Sequence, residues 1–161
     1  MSTVINYTTM VDVDAGLFTV GVFQNAEWAA KGIRALRESG LVPEMFSVMA
    51  KQDPKVATLV EQTCGAAGET IDVAVVGPIV ARGPLLAALQ GESRDFARLG
   101  IAATMRRVGF QPHDGRIYET LVGRGGVLVA IKSDPRAADA LAVMLSYGGG
   151  NAAIGAWSGR V

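Results

Sequence analysis

Hydrophobic positions along the chain change period in blocks. Leu17–Phe23, LFTVGVF, is rich in β-branched and aromatic residues and reads as a strand. Asn25 is placed to cap a helix. In that helix Trp28, Ala29, Gly32, Ile33 and Leu36 recur at helical spacing, with Lys31, Arg34, Arg37 and Glu38 between them. Gly40 ends it, and Pro43 leads into a second strand, Met45–Lys51. Near the other end, Gly125 and Gly126 precede a strand, Val127–Ile131. Asp134 and Pro135 open a helix with a stripe of Ala138, Leu141, Met144 and Leu145. Gly148–Gly150 close it, and Asn151–Trp157 reads as a last strand.

The two blocks repeat each other at one constant offset, without a gap. Val20 and Val22 fall on Leu128 and Ala130, Ala29 and Ala30 on Ala137 and Ala138, and Ile33 on Leu141. Leu36 falls on Met144, Gly40 on Gly148, and Phe46 and Val48 on Ile154 and Ala156. Two βαβ units can interleave as an antiparallel sheet with both helices on one face, the split-βαβ, ferredoxin-like arrangement. The fold class expected is therefore α+β. The chain reads as one domain, 1–161, made of a first unit (17–51), an insertion (52–124) and a second unit (125–158).

The insertion reads as mostly helical. Asp53-Pro54 starts a helix ending near Gly65. Gly65–Glu69 is a loop, and Ile71–Val76 can be an extra strand. Gly83-Pro84 opens a short helix, Leu85–Leu89, and Ser93 caps one carrying Phe96, Leu99, Ala103 and Met105. Gly109 breaks it, and Pro112 opens a last one with Ile117, Tyr118, Leu121 and Val122.

Alternation sorts each strand into two sets. One holds Phe18, Val20, Val22, Phe46, Val48, Leu128, Ala130, Ile154 and Ala156. The other holds Thr19, Gly21, Phe23, Met45, Ser47, Met49, Val127, Val129, Ile131, Ala153, Gly155 and Trp157. Neither set is polar, so neither sheet face suits water. The repeated helices cover one. The insertion or a second subunit must cover the other, and small residues such as Thr19, Gly21 and Ser47 admit a close backbone. A homodimer or higher homo-oligomer is expected, with Phe23, Met45, Met49, Val129, Ile131 and Trp157 as its interaction surface.

Composition narrows the classes. Apolar residues are 50% of the chain and charged ones 19%, a globular balance. Lys+Arg and Asp+Glu are 15 each, which argues against broad capture of nucleic acid or an anionic membrane. Cys64 is the only cysteine, so no intrachain disulfide or cysteine-based metal cluster can form. The first residues lack a basic start followed by an apolar run, and Val73–Leu89 is interrupted by Arg82 and two prolines. A cytoplasmic protein is expected.

The run VGVFQNAEWAAKGIRALRESGLVPEMFSVMA resembles the opening of bacterial general-stress-protein domains of the heat-induced, 17M-like kind. GPIVARGPLLAAL (Gly77–Leu89) is similar to a stretch of a related, uncharacterised family of alanine- and glycine-rich membrane-like proteins. Val108–Ile131 is similar to their aromatic-Glu, Gly-Gly, valine-rich signature, carried by Tyr118, Glu119, Leu121, Gly125 and Gly126. The chain departs from the pattern at Gly65–Val76, which is short and holds Glu69 and Asp72. The resemblance implies a stress-linked role without an established reaction.

Candidate chemistry is sparse. His113, the only histidine, sits in a first helical turn where a solvated polar residue is ordinary; as a haem or metal ligand it lacks histidine partners. Tyr118 and Glu119 are neighbours on a helix and point about 100° apart. With His113 they are the ligand-binding candidates. The simpler reading puts the Tyr118 ring in the core. Cys64 reads as a small core residue rather than a redox sensor. Gly77-Pro78 and Gly83-Pro84 can form anion nests, but no phosphate-loop motif occurs. Arg94, Arg98, Arg106 and Arg107 read as a solvated face. An RNA-recognition sheet would carry aromatics where this chain has GVLVAI, so no nucleic-acid partner is expected.

No catalytic residue, metal or cofactor is expected. The first functional expectation is a stress-related, non-enzymatic domain acting through oligomerisation or protein contacts. The alternative is a small-molecule binder, with haem as one ligand, or an enzyme of the dimeric α+β-barrel type. A weaker alternative is peripheral membrane association through Val76–Leu89.

Overall fold

The structure, a computed structural model, describes residues 18–132. Among these residues the fold is α+β: a five-strand antiparallel sheet with five helices packed on it. In chain order the elements are β1 (Phe18–Phe23), α1 (Ala26–Glu38), β2 (Phe46–Lys51), α2 (Pro54–Cys64), β3 (Glu69–Val73), β4 (Gly77–Arg82), α3 (Pro84–Gln90), α4 (Phe96–Thr104), α5 (Pro112–Gly123) and β5 (Val127–Lys132). A 3-10 turn, Pro43–Met45, precedes β2, and another, Met105–Val108, follows α4.

The sheet order is β1-β5-β2-β4-β3. β5 pairs antiparallel with both β1 and β2, so β1 and β2 run parallel with β5 inserted between them. The first unit is thus a split βαβ. Its gap is filled by the first strand of the expected second copy, and the repeat partners Val20 and Leu128 lie on adjacent strands. The helix and last strand expected for that copy, with Trp157, lie outside the described residues.

The caps follow the sequence. Asn25 Oδ1 accepts from Trp28 N at 2.9 Å to start α1, and Asp53 Oδ1 accepts from Lys55 N at 2.8 Å to start α2. Gly65, in the left-handed region at φ 81°, ends α2. Lys55 Nζ reaches Glu27 Oε2 at 3.0 Å on the surface between α1 and α2.

The insertion differs from its expected form. It adds a hairpin, β3–β4, that widens the sheet beside β2. Ile71–Val76 is strand only to Val73, and the turn at Ala74–Val76 leads into β4, which the apolar run concealed. Pro78 is tolerated because it lies near the start of its strand. The Ser93 cap gives way to a turn, and Asp95 takes the N-cap position of α4.

Both sheet faces are covered by the chain itself. Beneath α1 and α2 lie Phe23, Phe46, Val48, Ala50, Val80, Val127, Val129 and Ile131. Beneath α3, α4 and α5 lie Phe18, Val20, Val22, Met49, Ile79, Ala81, Leu128 and Ala130. The expected sorting therefore holds for β1 and β5 and is inverted for β2. Phe46 faces Ile131 and Val48 faces Val129 across the ladder, and cross-strand partners share a face. Alternation separates the two sets within a strand, whereas register decides which sets meet.

Each fully buried Leu or Phe contributes roughly 1.5–3 kcal/mol. These two cores, rather than caps or surface ion pairs, hold the sheet. The apolar side chains of Val76–Leu89 belong to them: Ile79, Ala81, Leu85 and Leu89 are fully buried. Most of that segment's large apolar side chains are thus turned into the cores, and no helix among the described residues is long and apolar enough to cross a membrane.

Candidate functional site

The three ligand candidates from sequence stand apart. His113 is exposed in the first turn of α5. Tyr118 is fully buried, with its ring edge-on to Phe110 at 5.6 Å. Burial, and then the charge of Asp114 one turn earlier, holds the Tyr118 hydroxyl above its ordinary pKa. Glu119 turns to α4 instead, where its Oε2 accepts from Ala102 N at 3.1 Å. Among the described residues no three His, Cys, Asp or Glu side chains are grouped to hold a metal ion.

The residues expected to form an interaction surface are placed inside. Phe23, Val129 and Ile131 are buried beneath α1 and α2, and Met49 is buried on the opposite face. Met45 is half-buried against the α1–α2 side. The close backbone that Ser47 admits is the chain's own: Ser47 Oγ accepts from Leu85 N at 2.8 Å, at the start of α3.

A cleft of about 500 Å3 opens where several segment ends meet. They are the 3-10 turn before β2, the last residue of α2, the start of β3 and the β4–α3 junction. The junction is tight. Gly83 lies at φ 120°, and a Cβ there would stand 2.4 Å from Phe46 O. Only glycine lets β4 turn into α3 against β2. Phe46 and Leu86 border the cleft but are almost wholly buried, and Ala87 is exposed beside them.

Charged side chains line the same cleft: Arg82 at the end of β4, Arg94 after α3, Glu44 on the 3-10 turn and Glu69 at the start of β3. Arg82 Nη1 donates to Ala67 O at 3.0 Å. Arg94 lies at φ 50°, a region sparsely used by residues other than glycine, so its position carries backbone strain. None of the four is in ion-pair reach of another. Cys64 forms part of the wall, with Sγ 3.8 Å from Phe46 O. Burial pushes its thiol pKa up, and the nearby positive charge of Arg82 offsets part of that. Cys64 is therefore a poor nucleophile near neutral pH.

Next to the cleft, Arg107 ties α3 to α4. Its Nη1 donates to Leu89 O at 2.7 Å and its Nη2 pairs with Asp95 Oδ1 at 2.8 Å. Two smaller hollows, of about 400 and 440 Å3, run along the α1–α2 seam and share Ala30, Leu59 and Gln62.

Sequence reasoning singled out Gly83-Pro84, Cys64 and Arg94 for other reasons and did not bring them together. The strand β4, hidden inside an apolar run, is what joins Arg82 to Gly83 at this place. No known family model, curated protein or solved structure matches this chain.

Proposed function

We propose that the protein is a non-catalytic binding domain that holds a small amphipathic molecule in the cleft between the end of α2 and the β4–α3 junction. The observation that carries this reading is a cleft lined by four charged side chains that do not neutralise one another, with the exposed apolar Ala87 among them. Its volume falls in the range usual for small-molecule sites, about 300–1,000 Å3. Catalysis has weaker support. The only thiol is held in its protonated form, and the only histidine lies on α5, outside the cleft lining.

The finer fold proposed is a ferredoxin-like sandwich of two interleaved βαβ units. It rests on the split βαβ and on β1, whose six residues are all buried although β5 is its one partner among the described strands. A stress-linked role rests on the sequence resemblance alone, and so does a place in the cytoplasm on sequence character. The case for a homo-oligomer began with an uncovered apolar sheet face. With α3–α5 on that face, the observation no longer calls for a partner.

The test is a melting-temperature screen with small amphiphiles carrying a carboxylate, an ammonium group or both. Ala87 is exposed on α3 and lines the cleft, so Ala87→Trp fills it without entering the core. At least one compound raises the melting temperature of the wild type by mass action, and Ala87→Trp loses the response. No response in the wild type, or an equal one in Ala87→Trp, contradicts the reading.

A further inference from the structure

Both sheet faces are covered, but the sheet edge at β3 is open. We infer that this edge is a contact surface for a second copy of the chain, paired antiparallel about a two-fold axis at Ile71. The inference stands apart from the binding reading of the cleft.

The backbone groups that are open follow from Pro78. Its carbonyl accepts from Gln52 N at 3.1 Å, just past the end of β2. A strand residue points its N–H and C=O to the same side. Pro78 therefore turns away from its ladder partner Asp72, and the two form a non-hydrogen-bonded pair. Asp72 directs its own N–H and C=O away from β4, and so does Thr70, two residues earlier. Ala74 is next in this series, and its N–H donates to Ala97 O at 2.8 Å, on α4. That bond closes one end of the edge. Thr70 and Asp72 remain open, and both are exposed. β1, the other outer strand among the described residues, is buried throughout. An open edge is a template for another strand.

Register then selects the partner. An axis at Asp72 sets this residue against its own copy, carboxylate to carboxylate, and calls on Ala74 N, which is already bonded. An axis at Thr70 sets Asp72 against Gly68, which lies before β3. An axis at Ile71 sets Thr70 against Asp72 of the second copy, so each open donor meets an open acceptor. The Thr70 hydroxyl then stands beside the opposite Asp72 carboxylate and can donate to it. Ile71, half-buried, meets its own copy at a non-hydrogen-bonded position, where side chains come closest. Glu69 falls opposite Val73, so no two carboxylates are directly opposed. β3 thus carries its own match, and a two-fold axis makes every contact twice. The chain has no net charge, so two copies approach without general repulsion.

Sedimentation equilibrium on the full chain, from micromolar to millimolar concentration, tests this. The mass is expected to rise with concentration towards twice that of the chain. Asp72→Pro removes an outward N–H and no bond of the β3–β4 ladder, and edge strands tolerate proline. It should abolish the rise and leave the melting temperature at high dilution close to that of the wild type. A wild type that stays monomeric overturns the inference, and so does a folded Asp72→Pro variant that still dimerises. Cross-linking decides independently of that variant. In a Cys64→Ser background, Ile71→Cys places two thiols across the axis at a Cα separation of ~4.5 Å, within disulfide reach. Glu69→Cys places them about 13 Å apart along the strands. Under mild oxidation Ile71→Cys should form a covalent dimer many-fold faster than Glu69→Cys. Equal rates overturn the axis at Ile71.

Discussion

The carboxylate of Glu119 lies 3.1 Å from the amide nitrogen of Ala102, across the gap between α5 and α4. Gly100 interrupts α4 at φ 91°, and the chain restarts as a helix at Ile101. A restarted helix leaves amide hydrogens unpaired, and Glu119 accepts one of them in the manner of a cap supplied from another element. A Cβ on Gly100 would stand 3.0 Å from the same carboxylate oxygen, so glycine also makes room for the cap. Glu119→Ala is expected to cost ~1 kcal/mol, lowering the melting temperature by about 2–4 °C, with Glu119→Gln losing less. Thermal unfolding of both variants checks this. An alanine variant as stable as the wild type would show that the contact contributes nothing.

Two glycines predict opposite outcomes. Gly83 combines φ 120° with a Cβ position 2.4 Å from Phe46 O, so Gly83→Ala forces β2 and α3 apart. A loss above ~2 kcal/mol is expected, since left-handed strain alone costs roughly 1–2 kcal/mol and the clash adds to it. Gly123, at the end of α5, has negative φ and nothing within 4 Å of its Cβ position. Gly123→Ala is expected to stabilise the fold by about 0.4–1 kcal/mol, by restricting the unfolded chain. Urea midpoints of the two variants should move in opposite directions.

Tyr118 links stability to alkaline pH. Its hydroxyl is held above the ordinary tyrosine pKa by burial and then by Asp114, so above pH ~10 the unfolded chain releases that proton more readily than the folded one. Stability from this group is full below pH ~10 and falls as pH rises further. Tyr118→Phe should flatten that part of the stability profile. The hydroxyl has no hydrogen-bond partner among the described residues, so at neutral pH the variant should lie within ~0.5 kcal/mol of the wild type or above it. Denaturation of both proteins across pH 8–11 measures the difference; parallel profiles would count against a buried, partnerless hydroxyl.

Local signals in the sequence read well. Asn25, Asp53, Gly65 and Pro112 mark helix ends where the structure has them. Two things were not local. The expected strand Ile71–Val76 overlaps β3, but β4 was hidden in the mostly apolar run that follows: a doubly covered strand and a buried helix give the same signal when both faces are dry. Pairing register set the facing of β2, so Phe46 and Val48 went to the wrong side and Met49 with them. The cleft depended on both. It needs β4 to deliver Arg82 and Gly83 beside Phe46, and these positions are far apart along the chain. Glu119 was noticed as half of a polar pair with Tyr118, whereas its partner is a backbone amide on another helix.

The central claim is that the cleft binds, and Cys64 reports on it directly. It is the chain's only cysteine and forms part of the cleft wall. The measurement is the rate of Cys64 alkylation by iodoacetamide at mildly alkaline pH, with and without each amphiphile of the melting-temperature screen. Occupancy of the cleft should slow alkylation several-fold for at least one of them, with saturation at the concentration that saturates its melting-temperature shift. A compound that raises the melting temperature while Cys64 reacts at its unliganded rate would place binding elsewhere and contradict the account.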